Sequence, residues 1–196
     1  MKNISKTIFK YRSYTPIPFL ILMLAFARPN LQSILIGFFT ALIGEIFRFW
    51  GVIYAGSETR TTGEVGGTFL VVSGAFAHVR NPLYLGNILL YTGVGIMSNS
   101  LFPYLQIVAF FFFLIQYRLI IIAEEDYLLK TFGKQYEHYK KNVPALIPKI
   151  KKYSNEEIVQ PPLNIKAGLK SEKRSLQAFS LITIILILIY FFSNGR

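Results

Sequence analysis

The chain has 196 residues, 53% of them hydrophobic, a formal net charge of +11 and no cysteine. Apolar residues gathered in blocks exclude an ordinary soluble domain and indicate an integral membrane protein with room for one compact bundle. The lack of cysteine excludes disulfides, thiolate metal sites and a cysteine nucleophile, and neither His78 nor His138 has a companion at zinc-ligand spacing, so no metal is expected.

Five apolar blocks predict an all-α polytopic membrane bundle of about five transmembrane helices. The first, residues 14–27, is short, with Pro16 and Pro18 suited to its opening turn. Arg28-Pro29-Asn30 reverses the chain, because proline disfavours helix in the residue before it. The second block covers residues 31–47. A polar, Gly-rich stretch follows over residues 51–80, carrying Glu58, Arg60 and Glu64. Its Gly63, Gly66 and Gly67 allow a tight loop but lack the strand-glycine-helix context of a nucleotide fingerprint. The third block covers residues 83–97, with Ser98-Asn99-Ser100 as its turn, and the fourth residues 101–123. The fourth spans a bilayer comfortably at about 1.5 Å per residue. The fifth covers residues 176–192. The first and third blocks are near or below spanning length; the alternative, four spans, has the first two as a hairpin that does not fully cross.

From Glu125 onward the pattern turns amphipathic. Leu128, Phe132, Tyr136, Tyr139 and Val143 recur at steps of three and four, with Lys130, Lys134, Glu137, His138 and Lys141 opposite. This predicts a cytoplasmic interfacial helix lying on the bundle or the acyl boundary, with a break at Gly133. Residues 149–174, with Pro161-Pro162, read as a basic, partly irregular connector to a terminal transmembrane helix at residues 175–192. The amino-terminal segment holds Lys2, Lys6, Lys10 and Arg12 without an acid, and residues 124–174 hold eleven Lys/Arg against seven acids. The positive-inside rule therefore places the amino terminus, the Gly-rich loop and the basic segment in the cytoplasm. Because the positive charge flanks apolar blocks and no nucleic-acid module is visible, membrane lipids rather than nucleic acid are the expected partners.

Two stretches then fall on the same bilayer face, on either side of the hairpin formed by the third and fourth blocks: Arg80-Asn81-Pro82-Leu83-Tyr84-Leu85-Gly86, and a run from Glu124-Glu125 to Pro148. Arg80 stands before a helix whose first turn holds a proline, where a guanidinium fork and a helix amino terminus both favour an anion. Its plainer reading is a snorkelling arginine, with Tyr84 as a belt aromatic. Glu124 and Glu125, at the edge of a long apolar run, call for a partner: Arg80, Arg118, or a ligand cation or hydroxyl. Tyr84, Tyr136 and Tyr139 suit either an aromatic wall around a cation such as a sulfonium or ordinary core packing. Gly86, Gly93 and Gly95 permit close helix approach without any ligand.

The series Arg80-Asn81-Pro82-x-Tyr84-x-Gly86, Glu124-Glu125-x-x-Leu128, Phe132-Gly133-x-x-Tyr136-x-x-Tyr139, Val143-Pro144 and Pro148 resembles the isoprenylcysteine carboxyl methyltransferase and phospholipid methyltransferase superfamily over residues 48–148. The resemblance implies a single membrane methyltransferase domain over residues 1–196. It would use S-adenosyl-L-methionine held at the cytoplasmic side and take a lipophilic or small methyl acceptor. It implies cofactor contacts from Arg80, Pro82, Tyr84 and Gly86, from the acidic pair Glu124 and Glu125, and from Tyr136 and Tyr139 on a lid helix. Arg80 is the residue expected to orient a carboxylate. Asn81 stands where the isoprenylcysteine branch usually has histidine, so a prenylcysteine acceptor is not implied. Two other readings remain. Membrane sterol reductases carry a similar Arg-x-Pro-x-Tyr-x-Gly and bind NADPH, and a non-catalytic protein would use the basic connector on anionic lipid.

Overall fold

A computed structural model of the chain describes residues 8–9, 11–56 and 69–194. Glu58, Arg60, Gly63, Glu64, Gly66 and Gly67 lie outside the described residues. Among the described residues there is no strand, and the principal helices are α1 (Pro16–Ala25), α2 (Leu31–Ala55), α3 (Pro82–Ser98), α4 (Tyr104–Asn142) and α5 (Ile165–Asn194), with a 3-10 turn at Gly74–Ala77 before α3. Three of them, α2, α4 and α5, are long and apolar enough to cross a membrane.

Each of these three overruns the apolar block that announced it. Helix α2 continues to Ala55, past the expected start of the polar stretch at residue 51, and α5 begins at Ile165, inside the expected connector. A helix satisfies its own backbone whether it lies in lipid or water, so the end of an apolar run marks the edge of the hydrocarbon and not the end of the helix. For the same reason, the amphipathic stretch expected from Glu125 begins as a continuation of α4, and a second helical segment follows the break at Gly133. Helix α4 runs on through Glu124 until Gly133, whose φ of 52° and ψ of −125° interrupt it. That backbone region is essentially open to glycine alone. The apolar part of α4, residues 104–123, carries one charge, Arg118, and is about 30 Å long at 1.5 Å per residue. Eight charged residues follow between Glu124 and Lys141, so the spanning segment ends at Ala123.

The chain packs as two units. The first is built chiefly from Phe47–Leu85 and Tyr117–Glu172. Its core gathers Leu70, Val72, Tyr136, Tyr139, Val143, Tyr153 and Ile158, with Leu128 and Phe132 against it. The apolar face read from residue 128 onward is thus covered by protein. What covers it is the strap that follows α4, tied down by backbone hydrogen bonds: the Lys149 N–H donates to the His78 carbonyl and the Tyr153 N–H to that of Ala77. Gln160 adds a clamp, accepting from the Val72 N–H at 2.9 Å and donating to the Leu70 carbonyl at 3.1 Å. Arg48 near the end of α2 pairs with Glu172 of α5 at 2.5 Å, with the Glu172 side chain only 4% exposed.

The second unit comprises Tyr11–Ile46, Gly86–Gln116 and Lys173–Arg196. Asn30 caps α2, its Oδ1 accepting from the Ser33 N–H while the Ser33 Oγ accepts from the Asn30 N–H, a reciprocal box that fixes the start of the helix. Helices α2 and α3 touch backbone to backbone at Gly37 and Gly93, where a side chain on Gly93 would strike Ala41 and Gly37. Small residues at such a crossing let two membrane helices exploit dispersion without a hydrophobic driving force. The turn at Ser98-Asn99-Ser100 is closed by the Arg28 N–H to the Ser98 carbonyl and by Asn99 Nδ2 to the Arg28 carbonyl. Buried Glu45, on α2, accepts a 2.6 Å hydrogen bond from Ser175 of α5.

Candidate active site

The first turn of α3 and the end of the apolar part of α4 bring the charged residues together, all within the first unit. Pro82 opens α3, where its missing N–H is no loss, and it is fully buried. Two residues earlier, Arg80 reaches Glu125 with both Nε (3.0 Å) and Nη2 (2.7 Å). Its Nη1 donates to the carbonyls of Lys140 (2.9 Å) and Val143. At least four of the five guanidinium N–H donors are thereby committed, and the Tyr136 hydroxyl lies against the same group. Lys140 closes the other side, with Nζ 2.8 Å from the second Glu125 oxygen. Arg80 also donates its backbone N–H to Pro144, and Asn81 Nδ2 donates to the Ala145 carbonyl. Arg80 is therefore a clasp joining the start of α3, the body of α4 and the start of the strap.

One turn into α3, the Tyr84 hydroxyl donates to Glu124 at 2.5 Å, and its ring stacks on Tyr117 with centroids 4.9 Å apart. The two adjacent acids therefore take different partners, Glu125 a guanidinium and an ammonium, Glu124 a phenol. Both residues lie beyond the spanning segment of α4. Burial works to raise the Glu125 carboxyl, and the hydrogen bonds and charges of Lys140 and Arg80 outweigh it, holding the group ionised and below the usual carboxylate range.

Tyr136 and Tyr139 follow the Gly133 break and sit in the core of the first unit, 1% and 2% exposed. Burial pushes both phenols well above the usual tyrosine range. The Tyr139 hydroxyl donates to the Phe76 carbonyl at 2.6 Å, which ties α4 to the turn before α3. Tyr139→Phe is expected to lower stability by about 1 kcal/mol, since a half-buried carbonyl loses its donor while the ring packing stays; a denaturant or thermal titration in detergent measures it. Gly86 falls in the second unit, on α3, with its carbonyl where a side chain on Gly44 would come.

Sequence reasoning did not single out Lys140 or Tyr117. Lys140 lies one helical turn after buried Tyr136, on the border of the apolar face, so helical register was the available signal. Tyr117, buried inside the apolar run, offered none. Glu45, Arg48 and Glu172 were also passed over, although an acid within an apolar block followed by Arg three residues later is a recognisable pattern.

The sequence is similar to several known proteins. A cobalt-zinc-cadmium resistance protein of Cupriavidus metallidurans is 27% identical over 121 residues, 62% of this chain and 51% of that protein. A nickel-cobalt-cadmium resistance protein of Alcaligenes xylosoxydans xylosoxydans is 25% identical over 121 residues, 62% and 52%. The protein-S-isoprenylcysteine O-methyltransferase of Schizosaccharomyces pombe is 36% identical over 83 residues, 41% of this chain and 34% of that enzyme. The chain thus spans about half the length of the two resistance proteins it matches and about a third of the methyltransferase. No solved structure matches it. Residues 32–135, more than half of the chain and the stretch that holds Arg80, Tyr84, Glu124 and Glu125, match the phospholipid methyltransferase family, and the chain belongs to that family.

Proposed function

We propose that the chain is a membrane methyltransferase that takes its methyl group from S-adenosyl-L-methionine and passes it to a lipophilic or small acceptor at the cytoplasmic face. One observation carries the reading. A guanidinium, two carboxylates and a stacked tyrosine pair gather where the apolar part of α4 ends, inside the family-matching region, with the Lys140 ammonium added from just beyond it.

The donor set fits an amino-acid-bearing nucleoside. Glu124 holds ribose hydroxyls or the amino group, Arg80 orients a carboxylate of donor or acceptor, and Tyr84 on Tyr117 offers an aromatic face to a cation. Pro82 and Gly86 shape the backbone of the same α3 segment, and Tyr136 and Tyr139 support it from the core. When bound, S-adenosyl-L-methionine supplies a methyl group on a sulfonium that leaves without acid assistance. The work left to the protein is then to orient the two reactants and exclude water, not to supply a strong base.

The proposed topology has five crossings, an amino terminus and strap in the cytoplasm, and the core 48–148, connector 149–174 and terminal helix 175–192 acting as one domain. Helical turns before α1, with the Tyr14 N–H on the Tyr11 carbonyl and the Ile17 N–H on that of Tyr14, lengthen its ten residues toward a span.

Two measurements test the function. S-adenosylhomocysteine is expected to raise the melting temperature in detergent, by the equivalent of about 2.7 kcal/mol at a hundredfold excess over Kd, while NADPH leaves it unchanged. Stabilisation by NADPH alone would turn the reading to a reductase. Membranes carrying the chain, or its Glu124→Ala variant, then receive methyl-labelled donor, and label is sorted into lipid, base-labile protein and volatile fractions. Label above the variant in one fraction names the acceptor class. No excess in any of them, with a panel of acceptors added, overturns the proposal.

A further inference from the structure

The strap after α4 carries two isoleucines that the fold leaves uncovered. Ile150 is 99% exposed and Ile147 is 80% exposed, while Val143 and Tyr153 at either side of them are buried in the core. The segment is not loose. Its backbone is pinned by the Arg80 N–H on Pro144, the Lys149 N–H on His78 and the Tyr153 N–H on Ala77. Those partners are the residues that immediately precede Pro82, the first residue of α3. The isoleucines are thus held near the start of α3, which Arg80 joins to Glu125 just past the apolar part of α4.

Their neighbours complete the pattern. Lys151 and Lys152 are exposed, and no acid occurs between His138 and Asn155. Lys149 is engaged inward, donating to the Asn142 carbonyl at 2.6 Å and lying over the Tyr153 ring. Glu156 and Glu157, exposed a few residues later, set the limit of the basic patch.

We infer that residues 147–152 form a bilayer-surface anchor specific for anionic lipid: Ile147 and Ile150 enter the acyl boundary, and Lys151 and Lys152 hold headgroup phosphates. Fully exposed aliphatic side chains beside adjacent cations match the chemistry of an anionic membrane surface, apolar below and negative above. The anchor is independent of methyl transfer and stands or falls apart from it.

The chain has no cysteine, so one introduced at position 150 is labelled uniquely. Ile150→Cys carrying a nitroxide is placed in nanodiscs of phosphatidylcholine alone or with phosphatidylglycerol. Collision with oxygen, which concentrates in lipid, is compared with collision by a water-soluble nickel chelate. The expected result is oxygen-dominated collision that deepens with phosphatidylglycerol and loses that lipid dependence in the Lys151→Gln/Lys152→Gln background. Nickel-dominated collision in both lipids overturns the proposal. So does dipolar broadening between labels, which would mean that a second copy covers the patch. Ile147→Cys gives a second reading of the same depth.

Discussion

Replacing Arg80 with alanine is expected to abolish methyl transfer and to lower stability by about 3–5 kcal/mol, the usual consequence of removing one partner from a buried ion pair. The Arg80 and Glu125 side chains are only 10% and 11% exposed, so water cannot take over the guanidinium's role. Lys140 stays near Glu125 but is 44% exposed and meets the carboxylate from one side only. The carbonyls of Lys140 and Val143 lose a donor as well, and the strap loses its fastening to α3. Arg80→Lys keeps the charge without the fork and should recover less than half of the lost stability. Thermal unfolding in detergent, run beside the methyl-transfer assay, checks both. If Arg80→Ala melts like the unsubstituted chain, the clasp is not what joins these segments.

Glu124→Ala separates function from stability. Its partner Tyr84 remains stacked on Tyr117, so the melting temperature should move by only a few degrees. Binding of S-adenosylhomocysteine should weaken by about 10- to 150-fold, the equivalent of one charged hydrogen bond at about 1.5–3 kcal/mol. Tyr84→Phe removes the hydroxyl that positions Glu124 and keeps the stack, so its effect should be smaller and lie on affinity. Full affinity and full activity in Glu124→Ala would remove this acid from the site.

The parts of this architecture legible in the sequence are those governed by strong, local physics. Charges at the edge of an apolar run must find partners, and that requirement tied Glu125 to a short roster that included Arg80. Proline at the opening of a helix placed the start of α3 at residue 82. The three-four spacing from Leu128 to Val143 identified a buried face, but periodicity does not say what covers it, and the strap rather than lipid does. Two kinds of feature were hidden. Helices were drawn too short because hydropathy reports the bilayer and not the backbone, as the end of α2 at Ala55 and the start of α5 at Ile165 show. Pairings such as Tyr84 with Glu124 depend on the rotation of one helix against another, which a single sequence does not encode locally.

The polar contacts between α2 and α5 impose a timetable on biosynthesis. Arg48 and Glu172 are 124 positions apart, and Glu45 and Ser175 are 130 apart. At about 5–20 residues per second, some 6–25 s pass between emergence of the α2 charges and that of their α5 partners. Helix α2 is therefore made with an acid and an arginine near its end before their α5 contacts exist. The α5 contacts, Glu172 on Arg48 and Ser175 on Glu45, form only after α2 has been made.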